Sequence, residues 1–126
     1  MTVFYGTKRI IAEPQEKDGN HGYRVVYEDG YKSWSPQTTF EACYRQSGEM
    51  NFGHALLALN EGRRVARSGW NGRDQFLVRE PGTTIVLNGK QLEYHAHIDI
   101  KTAQGTMAPY AASSTDLLAE DWGIVE

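Results

Sequence analysis

Fourteen residues concentrate the side chains best suited to chemistry: Arg63-Arg64-Val65-Ala66-Arg67-Ser68-Gly69-Trp70-Asn71-Gly72-Arg73-Asp74-Gln75-Phe76. Trp70 offers a flat stacking face, and each arginine a planar fork for phosphate or carboxylate. The set suits a ligand with an aromatic base and phosphates, the base on Trp70 and the phosphates near Arg64, Arg67 or Arg73. Stacking one base contributes about 1–3 kcal/mol, and each charge-assisted hydrogen bond about 1.5–3 kcal/mol. The same residues also describe a hairpin in which Trp70 anchors a core and the arginines are solvated. Composition alone leaves both readings open.

Two further groups compete with it. His95-Ala96-His97-Ile98-Asp99 sits in an alternating stretch, so one strand would carry two imidazoles and a carboxylate on one face. Those are ligands for Zn, Ni or Fe. They are equally the wet side of a half-buried sheet, and no additional ligand stands at a characteristic spacing. Pro109-Tyr110-Ala111-Ala112-Ser113-Ser114-Thr115-Asp116 combines an aromatic face, small residues and the start of a helix. Free N–H groups there suit an anion; the alternative is a hairpin end followed by capping residues. The chain has no P-loop glycine-lysine pattern, no G-x-G-x-x-G and no nucleophile motif. Its carboxylates form no readable acid–base pair, which favours ligand binding without catalysis.

The elements that position these groups read as α+β, mostly antiparallel. Residues 1–49 form a small first module. Tyr5 to Ala12 reads as a strand, Glu13 to Gly22 as a loop and Tyr23 to Glu28 as a second strand. Asp29-Gly30 is a hairpin turn, and Tyr31 to Trp34 returns. Ser35-Pro36 reads as the N-cap and first residue of a helix through Phe40 and Tyr44. The aromatic residues Tyr27, Tyr31, Trp34, Phe40 and Tyr44 read as the core a unit this small needs. Gln46-Ser47-Gly48 reads as a linker. Residues 50–126 form a second domain. Phe52, Leu56 and Leu59 recur at helical spacing, with Ala55 on the same face, Asn51 as cap and Gly62 as the left-handed stop. Val65-Ala66 and Gln75 to Arg79 read as partner strands, and Thr83 to Leu87 as a short strand before the Asn88-Gly89 turn. Leu92 to Thr102 reads as one alternating strand, and Thr106 to Ala112 pairs back. A helix over Leu117 to Glu120 and a closing strand over Trp122 to Val125 finish the domain.

Composition narrows the partners. The 126 residues carry a net charge of −3 with a pI of about 5.8, and 40% are hydrophobic. A protein that binds DNA or RNA polymers ordinarily shows a basic excess, so a small anion on a local basic island fits better. Cys43 is the only cysteine, which excludes an internal disulfide and a multi-thiolate zinc site within one subunit. The first residues lack the apolar run of a signal peptide, and no run reaches the length of a membrane span. The expected setting is the cytoplasm.

Four segments carry a resemblance. They are Met50-Asn51-Phe52-Gly53-His54-Ala55-Leu56; Gly62 to Gly72; His97 to Gly105; and Pro109-Tyr110, Ser113 and Thr115 to Trp122. Together they resemble the second Thoeris anti-defence family of phage proteins, over Met50 to Glu126. The resemblance implies a sponge that binds a cyclic ADP-ribose-type immune signal and holds it without cleaving it, with no cofactor, no metal and no catalytic residue. Some members also bind cyclic oligonucleotides of the CBASS defence system at separate sites. It implies a small α+β subunit, a homotetramer with pockets between subunits, and action in the cytoplasm of an infected host. Carried over by motif, Trp70 is the base-stacking residue, with Asn71, Gly72, Gln75 and Phe76 lining the pocket; Arg67 stays a ligand-binding candidate on its own chemistry, secondary to Trp70. Tyr110 stands where many members have Trp. Ser113, Thr115 and Asp116 are candidates for ribose or phosphate, on a wall expected from a neighbouring subunit. Residues 1–49 lie outside this resemblance; D-G-Y-x-S-W-S-P and F-E-x-x-Y-R there are similar to another small phage module. The alternatives are a sponge for cyclic di- or trinucleotides, a nucleotide-signal hydrolase, and a structural phage module.

Overall fold

Gly22 and Trp34 pack so closely that a Cβ at position 22 would lie 2.3 Å from the Trp34 ring. That contact organises the amino-terminal strands. In a computed structural model describing residues 1–126, the chain forms two compact units, Met1–Arg45 and Gln46–Glu126. The first unit is a three-stranded antiparallel sheet in the order β1 (Ile11–Pro14), β2 (Gly22–Val26), β3 (Lys32–Pro36), followed by helix α1 (Gln37–Cys43). Val25 is fully buried, and Phe40 stacks on Tyr23 at 4.0 Å and meets Tyr44 at 5.0 Å. Trp34 Nε1 donates to the Gln15 carbonyl at 2.9 Å, closing the loop before β2. The Asp29-Gly30 turn forms as the sequence predicts, with Gly30 at φ +88°.

Three expectations in this unit change. The first strand lies at Ile11–Pro14, not Tyr5 to Ala12, because only those residues find partners on β2. Tyr31 is exposed and contributes no core. Ser35 and Pro36 end β3, paired with Tyr23 and Gly22, so Ser35 does not cap α1 and Pro36 precedes it with no side-chain cap.

The second unit is built on helix α2 (Phe52–Asn60). Asn51 caps it reciprocally: His54 N donates to Asn51 Oδ1 at 3.0 Å and Asn51 N to His54 Nδ1 at 3.2 Å. Gly62 at φ +86° ends it in the left-handed conformation that glycine adopts without strain. Its buried stripe is Ala55, Ala58 and Leu59, with Leu56 turned outward, a rotation from the expected face.

The stripe packs on a five-stranded antiparallel sheet. The strands, in spatial order, are β10 (Trp122–Val125), β4 (Arg64–Arg67), β5 (Phe76–Glu80), β8 (His97–Lys101) and β9 (Met107–Pro109). Val65, Leu77 and Trp122 are fully buried under α2. The expected strand over Leu92 to Thr102 is broken. Its first part joins β7 (Lys90–Tyr94), which pairs with β6 (Thr83–Leu87) in a separate two-stranded sheet; its second part is β8. Asn88 and Gly89, at φ +52° and +74°, form the primed turn of that hairpin. Ser47 and Gly48 are integral to this unit: Gly48 N donates to the Trp122 carbonyl at 2.9 Å, and Ile124 N to Ser47 Oγ at 2.7 Å. Helix α3 (Ser114–Leu118) starts earlier than expected because Ser113 caps it.

Candidate functional site

The site grows from the register of two strands. β10 pairs with β4 so that Trp122 stands opposite Arg67, which brings Asp121 beside the end of β4. Asp121 Oδ1 accepts from Arg67 Nε at 2.8 Å, and Oδ2 accepts from Gly69 N at 2.8 Å. A Cβ on Gly69 would lie 2.8 Å from that oxygen, so glycine lets the carboxylate reach the backbone. The turn this fixes, closed by Trp70 N donating to the Arg67 carbonyl at 3.3 Å, delivers Trp70.

Asp116 meets it from α3. Its Oδ1 accepts from Arg67 Nη1 at 2.8 Å and from Trp70 Nε1 at 3.1 Å. Its Oδ2 accepts from the Tyr110 hydroxyl at 2.8 Å. Its backbone N–H donates to Ser113 Oγ at 3.0 Å, and its carbonyl accepts from Trp122 Nε1 at 3.0 Å. One residue thus ties together both tryptophans, Tyr110 and Arg67. The Trp70 ring stands edge-to-face against Trp122 at 5.3 Å, half-buried at the rim of the core.

The charges reinforce this geometry. Burial by itself pushes the Asp116 carboxyl up, but hydrogen bonds from Arg67, Trp70 and Tyr110 outweigh it and hold it below the usual carboxylate range. The Arg67 hydrogen bond likewise lowers Asp121. Burial, then the hydrogen bond to Asp116, raises the Tyr110 phenol. Asp116 is therefore an anion at neutral pH and Tyr110 a neutral donor. Arg67 spans two carboxylates, with its side chain 16% exposed.

Of the residues expected at a site, Arg67, Trp70, Tyr110, Ser113 and Asp116 come together within a single chain. Within the chain, α3 brings Asp116 to Trp70, and the hydroxyl of Tyr110, which follows β9, reaches the same carboxylate. Asn71 is exposed next to Trp70, and Gly72 lies against the Gln75 side chain, where a Cβ would approach to 2.4 Å. Thr115 is exposed on α3. Phe76 is not brought to this cluster. Strand alternation turns it to the opposite sheet face, where the Arg64 guanidinium lies 4.9 Å and Lys101 Nζ 5.9 Å from its ring centre.

The His-rich segment gathers no ligand set. His97 Nε2 reaches Asp99 Oδ1 at 3.4 Å, but His95 falls in the break between β7 and β8. No group of three or more His, Cys, Asp or Glu is placed to hold a metal ion. Two clefts open elsewhere, in the first unit. One, of about 370 Å³, lies by Glu16, His21 and Tyr23; the other, of about 470 Å³, lies by Lys8, Tyr27 and Tyr31. Neither is lined by the Asp116 cluster, so geometry and charge, not concavity, mark the candidate site. Asp121 and Trp122 were missed as site residues. Their partners lie 54 and six residues away respectively, and the only local signal is the Asp-Trp pair opening β10.

The second unit is a small antiparallel α+β domain in which one partly buried carboxylate holds Trp70 and Tyr110. The comparisons specify it. The Thoeris anti-defense 2-like domain matches residues 50–125. Thoeris anti-defense 2 of Bacillus phage SP01 is 38% identical over 85 residues, 61% of this chain and 96% of that protein. The chain belongs to the Thoeris anti-defense 2-like family. No helix is long and apolar enough to cross a membrane.

Proposed function

We propose that the chain is a phage anti-defence protein whose second domain, residues 50–126, binds a cyclic ADP-ribose-type Thoeris signal. It sequesters the signal without cleaving it, in the host cytoplasm. The carrying observation is that Asp116 fixes Trp70 and Tyr110 in one cluster of a family member. Two immobilised aromatic rings lose little conformational freedom on binding, which favours tight and slow-releasing capture. In this reading Trp70 stacks a base, with Tyr110 as a second aromatic wall. Asn71, Gly72, Gln75, Ser113 and Thr115 supply polar and backbone contacts. Arg67 and Asp116 position the rings, since their hydrogen bonds are already directed at each other and at neighbours. The cluster lies at a surface, and a domain this small encloses a dinucleotide-sized ligand best between subunits, in a homotetramer.

Incubation with each signal, removal of free ligand and heat denaturation test the reading. Release of unaltered cyclic ADP-ribose isomer is expected. Recovery of a cleaved product would replace the sponge with a hydrolase. Retention of only cyclic di- or trinucleotides would redirect it to CBASS signals. A stability increase in a nucleotide thermal-shift screen is the parallel readout, because a ligand that binds only the native state must raise stability.

A further inference from the structure

The cleft of about 470 Å³ in the first unit divides by charge into two halves. The hairpin joining β2 and β3 contributes Tyr27, Glu28, Asp29 and Tyr31, two rings and two carboxylates. The segment before β1 contributes Lys8 and Arg9, two cations. The Tyr27 and Tyr31 rings are stacked, with centres 5.7 Å apart and planes 26° from parallel. Asp29 Oδ1 accepts from Tyr31 N at 2.9 Å, which fixes the turn that presents Tyr31, 65% exposed.

The two halves meet as receptor and ligand do. Lys8 Nζ sits 4.1 Å from the centre of the Tyr27 ring, and Arg9 Nε lies 3.8 Å from Glu28 Oε1. β1 pairs with β2 only as far as Ile11 opposite Val26. Alternation continued past that pair sends neighbouring side chains to opposite sides, and Lys8 and Arg9 accordingly find a ring and a carboxylate. The seat is specific but light, since exposed cation–π contacts and exposed ion pairs are weak. Residues 1–10 lie outside every helix and strand, and Val3, Phe4 and Tyr5 are 79%, 86% and 96% exposed. Burial of apolar side chains therefore does not hold the segment down.

We infer that the hairpin half of this cleft is a docking site for an extended basic segment of a partner protein, one with two adjacent Lys or Arg residues. Lys8 and Arg9 occupy it as a built-in competitor. Charge complementarity selects that occupant. Rings and carboxylates together attract a cation on a long apolar stem, whereas a phosphate or an acidic peptide would meet Glu28 and Asp29. The chain's own residues show the mode that fits, an extended segment laid along the end of a β-strand. Tethering keeps the competitor at a millimolar effective concentration, so a partner segment gains the cleft only by binding more tightly or by being concentrated itself. The site lies outside residues 50–125, which match the Thoeris anti-defense 2-like domain, and it is independent of the ligand proposed for the second unit.

The probe is a fluorescein-labelled peptide copying residues 6–12, read by fluorescence anisotropy against the full chain. Lys8→Ala with Arg9→Ala empties the cleft. That variant is expected to bind the peptide about fivefold more tightly than wild type, because apparent affinity falls with the fraction of sites left open. Lys17→Ala with Lys90→Ala removes the same charge from exposed positions that do not line the cleft, and it is expected to match wild type. Tyr31→Ala in the emptied chain should abolish binding, and Glu28→Gln should weaken it. A peptide with Gln in place of both basic residues should not bind. Tyr31 and Glu28 are exposed, so the fold tolerates both changes, and circular dichroism checks it. Equal binding by wild type and the emptied chain, binding by neither, or an equal gain in the charge control overturns the inference. So does binding that survives Tyr31→Ala or the loss of both basic residues from the peptide.

Discussion

Trp70 and Asp116 stand 46 residues apart in the chain and are joined by a 3.1 Å hydrogen bond from the indole Nε1 to the carboxylate Oδ1. The bond sets the orientation of the ring, and the same carboxylate sets Tyr110 and Arg67. The proposed ligand contact and a structural anchor are therefore one assembly, and their variants separate by readout.

Trp70→Phe keeps an aromatic face and loses the hydrogen bond. It is expected to cost about 1 kcal/mol of stability and to weaken ligand retention several-fold. Trp70→Ala is expected to abolish stacking worth about 1–3 kcal/mol, a loss of roughly 5- to 150-fold in affinity. Calorimetry with the cyclic signal, alongside urea unfolding, checks both.

Asp116→Asn leaves the shape and removes one of the two carboxylate charges paired with Arg67. Removing one partner of a buried pair costs about 3–5 kcal/mol. With the Asp116 side chain 14% exposed, about 2–3 kcal/mol is expected. Urea denaturation monitored by tryptophan fluorescence measures it, and ligand retention should fall with it because both rings lose their anchor.

Acid should loosen the second unit before other conditions do. Asp116 and Asp121 are held below the usual carboxylate range, so their stabilisation is complete above about pH 4 and is lost as pH falls through their lowered values. Tyr110 has the opposite sign. Its raised phenol contributes fully below about pH 10 and is lost as pH rises beyond that. Unfolding midpoints measured against pH should decline at both ends, and the acid arm should flatten in Asp116→Asn.

Gly22→Ala should destabilise the first unit by about 1–3 kcal/mol, as overpacking does. The added carbon would meet the Trp34 ring at 2.3 Å and the Ser35 carbonyl at 2.4 Å. Proteolysis should then cut within residues 1–45 while residues 46–126 persist.

The amino-acid sequence by itself determined what depends on near neighbours. Asn51, Gly62, Asp29-Gly30 and Asn88-Gly89 announce a cap, a stop and two turns, because each residue's own backbone preference and short polar side chain act over three or four positions. The α+β class and the family follow from the order of such signals and from the motifs of residues 50–126. Only the tertiary structure decided the rest. The alternation from Leu92 to Thr102 is equally consistent with one strand or two, and the break at His95-Ala96 is set by which strands the segment can pair with. Leu56 has the spacing of a core residue, yet Ala58 takes the place, because the rotation of α2 is fixed by Trp122 and Val65 across the interface. Arg67 and Asp116 have the chemistry of ligand contacts in any linear reading. The neutralisation of Arg67 by Asp116 and Asp121 arises from contacts 49 and 54 residues apart, distances over which composition and spacing carry no information.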